Sequence, residues 1–324
     1  MHSCDDRGSA RIRTIRRMTQ RQEGIAPHRP SGSERSAAAA LLSPERPPLR
    51  ATGQRLLASA RSLGYDLSCL WSSGTPPRVC CWIVPSAGRL GMLYAGLEDV
   101  QCDAAALAPV LCAACADARD RLGVLLVQAL LEEADDPLLA PLTAAGMRPL
   151  VPLRFLRTAL EPVAAAPPSL PEKLRVLPWR DELEADFLRA LARSYEDSQD
   201  CPELTGLRPL EDVLASHKAT GVFDPSLWWL LWSDAENAPV GVILVNLLPE
   251  SASAELVYMG LAPEARGKGL ARSLLERMTH ALAQREVREL VCAVDSRNTP
   301  AQRLYAAMGF TRFASRIPLI RALS

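Results

Sequence analysis

A mixed α/β fold laid out twice along the chain is what this sequence predicts, and three observations carry it. Short apolar runs of strand periodicity alternate with amphipathic stretches of helical periodicity. The same order of elements recurs at an offset of about 163 residues. In the second copy the turn Arg266-Gly267-Lys268-Gly269-Leu270-Ala271 joins an apolar strand to an amphipathic helix. A strand that opens through glycines into a helix leaves backbone N–H groups unpaired where the peptide dipoles favour negative charge, so the turn suits a phosphate.

With 324 residues and 48% hydrophobic side chains the chain can bury a core in each of about two domains. Residues 1–50 hold ten Arg against five acids among Ser, Ala and Pro, with no sustained apolar period. Such a stretch does not offset the entropy of ordering, and it is expected to be a disordered basic tail. A targeting segment, a nucleic-acid arm and an extension upstream of a start at Met18 all remain open for it. The rest of the chain carries 27 basic against 32 acidic residues and no basic stripe, which argues against nucleic acid and for small ligands. Nine cysteines without a secretory signal or a membrane-length apolar run point to the cytoplasm and no membrane partner. Cys112-Ala-Ala-Cys115 has half the spacing of a zinc or redox site, but it lies in an Ala-rich helical pattern with no second pair, so buried inert thiols and no metal are expected.

The first copy, residues 51–164, runs from Leu93-Tyr94-Ala95-Gly96-Leu97 through a helical pattern to a strand at Gly123 to Leu130. Asp136-Pro137 follows, with Gly146 nine residues after the proline. The second copy, residues 165–324, places Val257-Tyr258-Met259-Gly260-Leu261 before a helical pattern, then a strand at Glu289 to Val294. Thr299-Pro300 comes next, with Gly309 nine residues on. Proline opening a helix and glycine closing it are local punctuation, but their repetition in one order implies a duplicated unit. A Pro/Ala segment, Glu161 to Pro171, reads as the linker. Beyond it come a strand at Leu174 to Leu177, helices at Glu182 to Tyr195 and Pro209 to Lys218, and strands at Leu227 to Trp232 and Val240 to Leu248. The polar loop Glu196 to Leu207 separates the two helices.

The spacing Arg266-x-x-Gly269-x-Ala271, preceded by Val-Tyr-Met-Gly-Leu-Ala-Pro and followed by a strand and a short helix at Asn298 to Gly309, resembles the GNAT acyltransferase superfamily. The strand Glu-Leu-Val-Tyr-Met-Gly-Leu resembles its equivalent in two-domain members of that family. Neither the dinucleotide spacing Gly-x-Gly-x-x-Gly nor the triphosphate loop Gly-x-x-x-x-Gly-Lys-Ser/Thr fits here. The resemblance implies two tandem GNAT-like domains after the tail. In the first, Asp99 to Ala106 replaces the glycine loop and Leu142 stands where the second has Tyr305, so the first is expected to be a degenerate copy that packs against its partner or shapes an acceptor cleft.

By the same resemblance acetyl-CoA is the acyl donor. The backbone of Met259, Gly260 and Leu261 would pair with the pantetheine arm, and the amides of Arg266, Gly267, Lys268, Gly269, Leu270, Ala271 and Arg272 would take the pyrophosphate. Lys268 and Arg272 would add charge. Tyr305 is the candidate general acid for the departing thiolate, against the reading of a core aromatic beside Leu304 and Met308. Glu255 is the candidate base, against the reading of a solvated strand-end carboxylate. Strict alternation would put it with Val257 and Met259 on one face, and Leu256 with Tyr258 on the other. Asn298 either bounds the last helix or touches the donor. Glu196, Asp197, Asp200 and Glu203 offer further carboxylates in the acceptor loop. Trp228, Trp229 and Trp232 read as strand aromatics divided between two faces. The expected activity is transfer of an acetyl or other short acyl group to a primary amine, small-molecule or peptide, by direct attack. A non-catalytic acyl-CoA sensor or scaffold is the alternative, and the oligomeric state is open.

Overall fold

The computed structural model of the chain describes residues 26–43, 49–132, 136–160, 169–285 and 287–323. Met18 and most of the expected linker lie outside those residues.

The first half opens with two helices, α1 (Gly32–Ala40) and α2 (Arg50–Ser62), followed by strands β1 (Leu70–Ser73), β2 (Val79–Ser86) and β3 (Leu90–Leu97). Helix α3 (Val100–Leu122), strand β4 (Leu126–Glu132), helix α4 (Leu139–Ala144) and strands β5 (Arg148–Pro149) and β6 (Leu153–Ala159) complete it. The second half runs β7 (Leu174–Pro178), α5 (Glu184–Tyr195), α6 (Leu210–Lys218), β8 (Val222–Ser233), β9 (Ala238–Leu248) and β10 (Ser253–Leu261). It ends with α7 (Leu270–Ala283), β11 (Glu289–Asp295), α8 (Thr299–Ala307) and β12 (Thr311–Ala322). The expected mixed sheet with helices on both faces is what forms, and its element order repeats between the halves.

Two expectations need correction. The tail expected to be disordered over residues 1–50 does not extend to residues 26–43, where α1 is a formed helix. No apolar period was needed, because the run Ala37 to Ala40 lets backbones meet directly: a Cβ on Gly53 of α2 would lie 1.9 Å from the carbonyl oxygen of Ser36. Ala38, Ala39 and Leu41 are then buried in one cluster with Trp82 of β2, and His28 exchanges two 2.9 Å backbone hydrogen bonds with Ser72. The strand expected from Gly123 instead begins at Leu126, because Gly123 takes a left-handed conformation (φ +67°) that terminates α3.

Among the described residues all twelve strands belong to one sheet, in the order β1-β2-β3-β4-β12-β6-β11-β10-β9-β8-β7, with β5 beside β12. The halves exchange their closing strands. Strand β6 of the first half pairs along its whole length with β11, from Leu153 opposite Asp295 to Ala159 opposite Glu289. Strand β12 returns from the second half to pair with β4, from Ala322 opposite Leu126 to Arg316 opposite Glu132. The linker therefore divides the chain in sequence while the ladders interlock.

In the second half, one face of the sheet packs on α7 and α8 through Leu256, Leu275, Met278 and Tyr305. The other packs on α5 and α6 through Phe187, Leu191, Leu214, Trp228 and Leu244. Each such fully buried side chain contributes about 1.5–3 kcal/mol, enough to hold both faces of β10 in place. Trp228 is core, while Trp229 and Trp232 are only partly buried at its margins.

Candidate active site

Strands β10 and β11 run parallel but pair only from Ser253 opposite Glu289 to Leu256 opposite Cys292. Beyond that rung they part. On its other side β10 stays paired with β9, but the register slips between Leu256 and Tyr258, so that Val257 is the extra residue of a bulge. A bulge sharpens local twist and turns the following residues away from β11, which leaves the β11-facing edge of Val257 to Leu261 outside the parallel ladder.

The bulge also corrects the expected alternation. Glu255 lies opposite Asn246 and Tyr258 opposite Leu244, positions two apart on β9, so Glu255 and Tyr258 share one face, toward α5 and α6. Leu256 and Met259, opposite Val245 and Ile243, share the other, toward α7. Glu255 is half-buried, and burial pushes its carboxyl above the usual carboxylate range. Tyr258 donates to or accepts from Ser194 Oγ at 2.7 Å and stacks on the His217 ring.

At the end of β10, the Gly267 and Gly269 backbones are both left-handed (φ +72° and +75°), and Gly269 is the residue before α7. A Cβ on either would meet nothing within 4 Å, so the glycines serve conformation and the space in front of them is open. The first intrahelical bond runs from Ser273 N to Gly269 O, and the amides of Leu270, Ala271 and Arg272 precede it. Lys268 is exposed. Open space, positive-φ glycines and the free start of a fourteen-residue helix fit a diphosphate.

Arg266 departs from its expected role. Its amide donates to Pro263 O, and its guanidinium donates to the carbonyls of Leu261, Ser194 and Glu196. It ties the turn to the C-terminal end of α5 and is turned away from the open side. Arg272 reaches Glu276 one helical turn on, at 2.7 Å, in an exposed pair.

Tyr305 on α8 is 6% exposed, tilted against Phe310 and packed with Leu256, Cys292 and Met259 at the last shared rung of β10 and β11. Burial holds its phenol well above the usual value, so it stays protonated near neutrality. Glu255 and Tyr305 thus approach the point of divergence from opposite faces. Asn298 caps α8, accepting from Ala301 N at 3.2 Å, which is the first of the two roles considered for it.

The loop between α5 and α6 is strapped to the end of β11 by a network that the sequence pattern did not reveal. The wholly buried Asp295 receives Arg297 Nη2 at 2.7 Å and Cys201 N at 3.1 Å, while Asp200 Oδ1 receives Asp295 N at 3.1 Å. Arg297 also forks onto Glu203 at 2.7 and 2.9 Å. Burial opposes ionisation of Asp295, but hydrogen bonds from Arg297 outweigh it and keep the carboxyl below its usual range. Arg297 likewise holds Glu203 low, which makes it a tether rather than a base. Burial pushes Asp200 up. Glu196 and Asp197 are exposed.

Among the described residues of the first half no such cradle forms: α3 begins three residues after β3, and Leu142 is buried with Leu93, Leu97 and Met147. Cys112 and Cys115 lie on α3, the latter buried with its thiol pushed up to about 11. Among the described residues, no helix is long and apolar enough to cross a membrane and no group of three or more His, Cys, Asp or Glu is placed to hold a metal.

Residues 188–310 match the Acetyltransferase (GNAT) family. This segment is a GNAT domain. A mycothiol acetyltransferase of Beutenbergia cavernae is 33% identical over 143 residues, 44% of this chain and 46% of that protein. A mycothiol acetyltransferase of Thermomonospora curvata is 33% identical over 208 residues, 59% of this chain and 66% of that protein. The chain spans about half the length of the first such relatives, 46% and 50%. Among solved structures, a GCN5-related N-acetyltransferase from Sphaerobacter thermophilus superposes with a TM-score of 0.56 at 18% identity, covering 91% of this chain and 95% of its own. That likeness concerns the fold alone, and it spans both halves.

Proposed function

We propose that the C-terminal GNAT domain transfers an acetyl group from acetyl-CoA to a primary amine by direct attack. The observation that carries this reading is the divergence of β10 from β11 at Leu256, with Glu255 and Tyr305 at the fork and the Gly267–Gly269 turn at its open end. Acetyl-CoA supplies the activated acyl group. The Gly267 to Arg272 amides hold the diphosphate, with Lys268 adding charge, and the Met259 to Leu261 backbone holds the arm and the carbonyl. Glu255 accepts the proton lost by the attacking ammonium, and its raised pKa brings it nearer the operating pH. As the amine nitrogen bonds to the carbonyl carbon and the C–S bond breaks, Tyr305 gives its proton to the sulfur.

The GNAT-family match and the mycothiol acetyltransferase relatives support a small-molecule amine as acceptor, in the cytoplasm where acetyl-CoA is made and used. We place mycothiol stripped of its acetyl group first in a panel of primary amines. Acetyl-CoA at 100 times its dissociation constant is expected to stabilise the native state by about 2.7 kcal/mol, read as a rise in melting temperature. Gly269→Glu sets a side chain on a left-handed residue and a negative charge against the phosphates, and it is expected to abolish that rise. An equal rise in the variant would sink the assigned turn. Binding without thioester consumption across the panel would sink catalysis.

A further inference from the structure

Besides the exchanged strands, the first half touches the second at a turn that backs the acceptor side. The turn between β2 and β3, Ala87-Gly88-Arg89, lies on α6. Ser216 Oγ donates to Ala87 O at 2.9 Å, and Arg208 donates both to Gly88 O and, at 2.8 Å, to Ser216 Oγ. Arg89 pairs with Asp212 at 2.7 Å. The approach is as close as backbones allow: a Cβ on Gly88, already left-handed at φ +70°, would lie 1.9 Å from Asp212 O. Only glycine fits there.

Helix α6 in turn carries His217. Its ring stacks on Tyr258 with centroids 5.6 Å apart and planes 24° apart, on the face of β10 that also presents Glu255. The peptide of His217 is fixed from below, since the buried Asn246 donates to the carbonyls of His217 and Thr220 while accepting Trp228 Nε1 at 2.7 Å. His217 Nε2 is buried with no hydrogen-bond partner among the described residues. Burial and the nearby Arg208 lower this imidazole to about 4, so it is neutral at pH 7. A buried polar nitrogen without a partner costs free energy, which a hydroxyl or amine of a bound molecule would relieve. The first half also supports the loop beside α6: Leu204 and Leu207 pack on Leu126 and Leu150 beside Ile320 of β12, and Arg148 donates to Glu203 O.

We propose that the Ala87–Arg89 turn of the degenerate half is a positioning element for the acetyl-transfer site, clamping α6 so that His217 is held against Tyr258 as part of the acceptor wall. This rests on the acyl-transfer reading above. Its acceptor would present an uncharged hydrogen-bonding group to His217, since a neutral imidazole can pair with a hydroxyl or amide without facing a like charge.

The full-length chain tests this with Gly88→Ala, which lifts the turn from α6, and with Arg208→Lys, which keeps the charge and loses the fork between Gly88 O and Ser216 Oγ. Hydrogen exchange of the α6 amides is expected to accelerate about tenfold in both while α7 is unchanged. With mycothiol stripped of its acetyl group as acceptor, its KM is expected to rise about tenfold while the KM for acetyl-CoA stays at the wild-type value, as loss of acceptor orientation predicts. Unaltered α6 protection, or equal rises in both KM values, would overturn the clamp. Absence of turnover in the wild type would retire the acyl-transfer reading separately, leaving the exchange result to judge the clamp.

Discussion

The two halves share a plan and differ around the turn and fork proposed to seat the acyl donor. Both have a strand ending in Gly-Leu, at Gly96-Leu97 and Gly260-Leu261, and both have a parallel partner strand that pairs for only a few residues: Leu90 to Met92 on β3, Ser253 to Leu256 on β10. Strand β3, however, keeps an unbroken register with β2 from Val79 opposite Leu97 to Ser86 opposite Leu90, whereas β10 carries the Val257 bulge. The turn after β3 lacks the two left-handed glycines that follow β10. Where Tyr305 stands in one half, a fully buried Leu142 stands in the other. A Cβ on Gly96 would lie 2.1 Å from Leu41 O, so the chain after α1 covers the strand end that its counterpart leaves accessible. Duplication preserves a fold through packing, while the proposed site depends on a bulge, two glycines and one hydroxyl, and losing any of these leaves the core intact.

The largest effect expected from this contrast is at Tyr305. Tyr305→Phe keeps the buried ring and removes the proton, so kcat for thioester cleavage should fall about a hundredfold, equivalent to about 2.7 kcal/mol, with acetyl-CoA affinity by calorimetry unchanged. The reciprocal Leu142→Tyr should confer no activity on a Tyr305→Phe background. Equal turnover in Tyr305→Phe and wild type would remove the phenol from the reaction.

Next comes Arg297→Ala, which strands the wholly buried Asp295 without its cation. Arg297 is itself 41% exposed, so a loss of about 2 kcal/mol in urea unfolding is expected, below the range for a wholly buried pair. Because the folded-state pKa of Asp295 is depressed, its contribution is complete above the unfolded value near 3.9 and is lost as pH falls toward the folded one. The variant should lose this part of its acid sensitivity, and identical stability profiles below pH 4 would refute the strap.

Smaller still is Glu255→Gln, expected to lower kcat/KM about tenfold at pH 7. A base must be ionised, and the raised pKa of Glu255 means the rate should fall on acidification at a pH above the ordinary carboxylate range. The Gln variant should lack that acid limb. A limb that persists in Glu255→Gln assigns the base elsewhere.

What was legible in the sequence was local punctuation. Glycine pairs before a helix, proline and glycine bracketing α8, and Asn298 at its cap each fix backbone geometry within a turn, and they located the turn, the repeat and most element boundaries. The Val257 bulge was hidden because Glu-Leu-Val-Tyr-Met reads as regular alternation, and only the partner register of β9 reveals the slip. Arg266 carries the family's spacing, yet where its guanidinium goes depends on the end of α5, some 70 residues away. Asp200, Glu203, Asp295 and Arg297 meet only through tertiary structure. Helix α1 was missed because alanine packs by closeness of backbones rather than by a hydrophobic stripe.

The exchange of closing strands has a consequence for biosynthesis. Strand β4 emerges from the ribosome long before its neighbour β12, so that edge of β4 stays unpaired until the second half has been made. Neither half is then expected to survive excision at the linker as a monomer, and deletion of Thr311–Ala322 would expose that edge to aggregation.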